Sequence, residues 1–195
     1  PFLNSLLGRV AKPAQTIIPH DAIGSAARKT IAYQLKSLLD QIDGAKAGEV
    51  EPIHQLRVTT RRLRATLRLF APYVRAIKPR ATSQQLRWLA GQAGRVRNLD
   101  IIEALARDRA EKLSDQMAAA LIPLWEEIHA QRAHHAAHLG AALNSVRYKR
   151  VVKVLSSTIP ITPSADAPFS SAAHDLVWPL VESMLQAGAR MEDDP

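Results

Sequence analysis

Residues His54 to Phe70 read HQLRVTTRRLRATLRLF. Wound at 3.6 residues per turn, this stretch separates into two faces. Arg57, Arg61, Arg64 and Arg68 fall within roughly 80° of His54. Leu56, Leu63, Leu67 and Phe70 fall within roughly 60° of one another on the opposite side. Arg62 stands just beside the basic stripe. The apolar face predicts burial against other helices, and the basic face presents guanidinium groups about one turn apart.

Surface helices ordinarily mix both signs of charge, because like charges four residues apart repel by a few tenths of a kcal/mol each. This stretch does not mix them. No Asp or Glu occurs between Glu51 and Asp100, an interval with eleven Lys and Arg. The whole chain of 195 residues carries a net charge of +8 and a pI near 10.2, so the remainder is net negative. Charge concentrated in this way implies an anionic partner: nucleic acid, an anionic membrane or a phosphate polymer. Apolar residues make up 47% of the chain, enough for a packed core, and the prevalence of Ala, Leu, Arg and Gln favours helix. Cysteine is absent, which excludes disulfides and thiolate metal sites and fits a reducing, cytoplasmic setting. No apolar run approaches the ~18–20 residues of a membrane span, and no signal peptide is evident. The first residue is Pro1, which implies a natural N-terminus further upstream.

Outward from the basic stretch, the pattern is helical throughout. Asp21 is placed to cap a helix running to about Ile42, with Ile23, Ala27, Ile31, Leu35, Leu38 and Ile42 inward. Asp43, Gly44 and Gly48 break it, Pro52 opens the basic helix, and Pro72 ends it. A third helix is expected from Thr82 or Ser83, with Leu86, Leu89, Ala90, Ala93 and Val96 buried and Arg87, Arg95 and Asn98 outward. Gly91 and Gly94 predict close packing or a break there. Helix is expected again over Ile101–Leu113 and from Ser114 or Asp115 to about Leu139, with Pro123 in a first turn. A last segment, Ala141 to Ser156, turns Val146, Val151, Val152 and Leu155 inward. Residues 1–19 read as a linker or the tail of an upstream domain, and 159–168, with three prolines, as a second linker. SAARKTIAYQLKSLL from Ser25 aligns without gaps with SAAHDLVWPLVESML from Ser171, and both are followed by an acidic stretch ending in proline. This predicts a two-fold repeated architecture.

Arginine suits a phosphate chain, since its planar fork stays charged and donates several hydrogen bonds. Single-strand nucleic-acid binders interleave aromatic residues for base stacking, and base readout uses Asn and Gln on a mixed helix; the basic face offers neither. Nucleic acid nevertheless stays open as an alternative, as does a helical scaffold docking an acidic protein. His134 and His138 have the four-residue spacing of two metal ligands, but no third or fourth ligand is obvious, and no metal or cofactor is assigned. The segment HAQRAHHAAHL around them reads as an ordinary polar face. There is no Gly-rich phosphate loop, GxSxG or HExxH, and the basic interval lacks carboxylates for Mg²⁺, so a non-catalytic role is expected.

His54, Arg57, Arg61, Arg62, Leu63 and Arg64 resemble the signature of the CHAD family, the conserved histidine α-helical domain. LRWLAGQAGRVRNLD from Leu86 and LNSVRYKRVVKVL from Leu143 are similar to its second and third motifs. The resemblance implies an all-α fold of two similar four-helix halves that binds inorganic polyphosphate in a basic groove. It implies that 20–158 form the first half and 169–195 the first helix of the second. It also implies a cytoplasmic protein associated with polyphosphate granules, often beside an upstream CYTH-type domain, and no membrane. By position it assigns ligand binding to His54, Arg57, Arg61, Arg62 and Arg64, and less directly to Arg147, Lys149 and Arg150 of the third motif. Arg68 joins them from the helical wheel, and Arg87 and Arg95 from the polar face of the third helix. Arg97 reads as structural, paired with Asp100. Two departures stand out. Asn98 occupies a position where the family usually has aspartate, and the histidine helix of the second half is absent, so that a homodimer would complete the groove.

Overall fold

A computed structural model describes residues 17–74, 77–157, 166–173 and 176–178. Among the described residues the helices with both ends in view are α1 (Ile23–Leu39), α2 (Ile42–Lys46), α3 (Val50–Leu69), α4 (Pro79–Ala110), α5 (Asp115–Ala120), α6 (Ile122–Asn144) and α7 (Val146–Ser156), and 169–173 and 176–178 are helical as well. Among the described residues there is no strand, only a single bridge between Ala22 and Pro168. No described helix is long and apolar enough to cross a membrane. The fold is an all-α bundle. α3 lies between α1 and α4, α4 packs on α6 and α7, and α7 returns to α1, which closes the bundle around one core.

The apolar stripes read from the sequence form that core. Leu56, Leu63 and Leu67 of α3 and Phe70 at its C-terminal end are buried, as are Ile23, Ala27, Ile31, Leu35 and Leu38 of α1 and Leu86, Leu89, Ala93 and Val96 of α4. Several boundaries differ from expectation. Asp21 does not cap α1. Its carboxylate accepts hydrogen bonds from the Ile18 N–H and from Lys29 Nζ, and these two donors hold its pKa below the ordinary carboxylate range, the lysine contributing most. Asp43 and Gly44 do not break the helix either, because α1 has already ended at Leu39 and both lie inside α2. Helix α4 starts earlier than Thr82, at Pro79, and runs for 32 residues through Gly91 and Gly94 without interruption. Proline is tolerated at that first position because its missing N–H has no intrahelical partner to serve. Val146 is 62% exposed rather than inward; Ser145 caps α7 by accepting from the Tyr148 N–H, and Tyr148 takes the core position instead.

Gly44 illustrates how closely α2 sits on α3. A Cβ added at Gly44 would lie 2.5 Å from Pro52 Cγ and 2.9 Å from its Cβ. Neither the proline ring nor the helix backbone can give way cheaply. Gly44→Ala is expected to cost about 1–3 kcal/mol despite its better helix propensity, measured as a shift in urea midpoint. A gain in stability would mean that the α2–α3 corner is loosely packed.

The segments preceding the two copies of the sequence repeat meet at the bridge. The Ile23 N–H donates to Ala167 O at 3.0 Å and the Phe169 N–H donates to Asp21 O at 2.8 Å. In the repeat alignment residue 23 corresponds to 169 and residue 21 to 167, so the two bonds exchange under a local two-fold operation. Ala172 and Phe169 then pack on the core. The linker at 159–165 and the helix expected beyond residue 178 lie outside the described residues, as do 1–16 of the N-terminal segment.

Candidate polyanion-binding face

The site is built on α3 and α4, which run antiparallel. At one end Arg57 Nη1 donates to Asn98 Oδ1 at 3.5 Å. A Cβ built on Gly94 would lie 3.1 Å from Arg57 Nη1, so the glycine lets this guanidinium rest on the surface of α4. At the other end Arg64, Leu67, Arg68 and Ala71 face Pro79, Arg80, Ser83 and Gln84 across a cavity of about 540 Å³. Between these ends run two rows. The α3 row is Arg57, Arg61, Arg64 and Arg68, with Arg62 beside it; all are exposed except Arg64, which is half-buried. The α4 row is Arg80, Gln84, Arg87, Gly91, Arg95 and Asn98, all exposed and spaced by threes and fours. His54 stands half-buried, one turn into α3 at the head of its row.

The electrostatics follow from what is missing along these rows. Asn98 offers Arg57 an amide oxygen where a carboxylate would have cancelled its charge. Arg95 donates to Gln92 Oε1 at 2.8 Å, again a neutral partner. Arg64 Nε is buried and has no hydrogen-bond partner at all. A buried donor without a partner costs about 1–3 kcal/mol, and Arg64 is among the residues that line a cavity with Arg68 and Arg80. By contrast, Arg97 and Arg132 are committed internally. Arg97 Nη1 lies 3.9 Å from Asp100 Oδ2, and Arg132 Nε is 2.7 Å from Asp100 Oδ1.

The structure therefore gathers His54, Arg57, Arg61, Arg62, Arg64, Arg68, Arg87 and Arg95 on one face. Arg80, Gln84 and Ser83 join them unforeseen. Arg80 is seven residues from Arg87 and belongs to the same stripe, a signal hidden by placing the start of the helix after it. The α7 residues separate from this group. Arg147 and Arg150 line a different cavity, of about 440 Å³, on the far side of α4, and Lys149 is exposed and lines neither. On α6, the His134 and His138 rings lie 4.6 Å apart and His134 and His135 5.4 Å apart, centroid to centroid. Burial first, then the charges of His134, Arg95 and His138, push the His135 pKa down. No group of three or more His, Asp or Glu among the described residues is placed to hold a metal ion.

The model of the CHAD domain family matches residues 29–195. The chain belongs to the CHAD domain family. Among solved structures, this CHAD domain is similar to the CHAD domain from the plant Ricinus communis, with a TM-score of 0.72 and 24% identity over 95% of this chain and 62% of that one. It is also similar to PptA from Streptomyces chartreusis, with a TM-score of 0.69 and 22% identity over 87% of this chain and 60% of that one. The chain thus spans about 60% of the length of these two structures. No curated protein matches it. Within this CHAD domain, the signature residues His54, Arg57, Arg61, Arg62 and Arg64 fall on one helix, and the second motif supplies the antiparallel helix that faces them.

Proposed function

We propose that this CHAD domain binds inorganic polyphosphate along the α3/α4 face and does not hydrolyse it. The observation that carries the reading is Arg64. Arg64 lines the α3/α4 cavity together with Arg68 and Arg80, no Asp or Glu side chain lines that cavity, and the Arg64 Nε is buried without a hydrogen-bond partner. Two antiparallel rows of cations extend from it along the helices, which suits a linear anion better than a compact one. A chain of phosphates meets several guanidinium groups at once; a single phosphate meets one or two. Base stacking has little support here. Phe70 is buried, and one face of Trp88 is covered by the Arg147 guanidinium, 4.0 Å from the ring centroid. The face also lacks the paired carboxylates with which phosphoryl-transfer enzymes hold Mg²⁺.

Competition tests this directly. Labelled long-chain polyphosphate is displaced by unlabelled polyphosphate, single-stranded DNA, duplex DNA or an acidic peptide at matched charge. Polyphosphate should compete best, and its affinity should fall steeply and linearly on a log–log plot against salt, because binding releases counterions. Orthophosphate should compete far more weakly. Stronger competition by either DNA would make this a nucleic-acid site, and phosphate release above background would make the protein an enzyme.

A further inference from the structure

We propose that the cavity between the start of α4 and α7 is a second anion site, separate from the polymer face, whose ligand is a small soluble phosphate monoester carrying a compact apolar or aromatic group. Its volume, about 440 Å³, is in the range of small-molecule sites. Its lining divides by chemistry. Ile77, Ala81, Val151 and Val154 supply apolar wall, while Lys78, Arg147 and Arg150 supply cations. No carboxylate lines it.

Arg147 is held in place rather than loose. Arg147 Nε donates to Gln85 Oε1 at 2.6 Å, and its guanidinium lies over the Trp88 ring at 4.0 Å. An arginine held by stacking and a hydrogen bond loses little further freedom when it meets an anion. Lys78 adopts φ 48°, in the left-handed region, and is the non-glycine residue to do so among those described. Glycine would take that conformation without cost, yet a lysine stands there and adds a third cation to the cavity.

The apolar wall bears on the class of ligand. A phosphate chain has no apolar surface with which to cover Ile77, Ala81, Val151 and Val154. A ligand with a ring or short alkyl group beside its phosphate has one, and burying it adds affinity that the charge alone does not supply. The α3/α4 cavity has apolar lining of its own, from Leu67, Ala71 and Pro79, so the two sites are told apart by place, and filling one of them is the discriminating test.

Calorimetry on the full chain with phenyl phosphate and inorganic phosphate tests the proposal. Phenyl phosphate should bind at least about tenfold more tightly than inorganic phosphate. Ala81 is exposed at the cavity wall, so Ala81→Phe fills the space without touching the core. In that variant phenyl phosphate should fall to the level of inorganic phosphate, while long-chain polyphosphate keeps its affinity. Val154→Phe repeats the test from the opposite wall if circular dichroism finds Ala81→Phe misfolded. Equal affinities for the two phosphates in the unmodified chain overturn the proposal. So does a preference that survives filling of the cavity, or a parallel loss of polyphosphate binding, which would make the two cavities one site. Binding to phosphatidylcholine vesicles containing phosphatidate, without binding of phenyl phosphate, overturns the soluble ligand in favour of a lipid headgroup. Failure of the polymer face alone would leave the phenyl phosphate result intact, so the two readings fail separately.

Discussion

Arg132→Met is expected to destabilise the fold by about 3–5 kcal/mol, toward the lower end because the arginine side chain is 20% exposed. Asp100 is the reason. Its side chain is 3% exposed, and Arg132 supplies its close partner at 2.7 Å, whereas Arg97 approaches the other carboxylate oxygen only to 3.9 Å. Arg132 also donates through Nη2 to Gly48 O at 2.8 Å, so one side chain joins α6, α4 and the turn between α2 and α3. Without it, a carboxylate remains buried with one distant partner. The double variant Asp100→Leu, Arg132→Met should recover most of the loss, because replacing both members of a buried pair removes their desolvation together. Urea unfolding of the two single variants and the double variant measures the coupling. A single-variant cost below about 1 kcal/mol would mean that water reaches the pair and screens it.

Arg64→Met is expected to act in opposite directions on binding and on stability. Truncating a charged group that meets a ligand phosphate typically costs about 2–5 kcal/mol, which is roughly 30-fold or more in Kd. The salt slope of polyphosphate binding should fall by about one unit, as one phosphate contact disappears. Stability should rise, because methionine keeps much of the apolar stem and removes the buried Nε that has no partner. A thermal melt without ligand, beside a salt series with polyphosphate, reads both effects. If binding is unchanged while stability falls, Arg64 is a packing residue whose stem covers α4, and the cavity beside it is not the anion site. Arg61, exposed on the same row, has no comparable burial, so Arg61→Glu should weaken binding with little effect on the melt.

Some of these features are legible without coordinates. The two faces of HQLRVTTRRLRATLRLF follow from helical geometry, which is local, and every leucine on its apolar face is buried. The inward stripes of α1 and α4 follow by the same rule. The capping of α7 and the exposure of Val146 did not, since Ser145 and Val146 satisfy more than one helix start and only the N–H of Tyr148 shows which is used. The single-signed charge between Glu51 and Asp100 is a property of composition and pointed to an anion before any packing was known.

Pairing between helices is another matter. A periodic pattern says which residues share a face but not which faces meet, because the crossing of two helices depends on side chains far apart in sequence. Arg132 sits in HAQRAHHAAHL, where every local sign reads as a solvated polar face; only the arrival of Asp100 from α4 turns it into a structural ion pair. Arg80 joins the arginines of α3 only because α4 begins at Pro79 and folds back antiparallel. Arg147 and Arg150 share the charge of the α3 row and not its location, since α7 packs on the other side of α4 and opens onto its own cavity. Sequence alone determined the helical class, most of the buried stripes and the single sign of charge along the basic face, all of which rest on composition and spacing within one segment. Tertiary structure decided which cations converge, which are neutralised inside, and that they serve two cavities, because each of those depends on contacts across tens of residues.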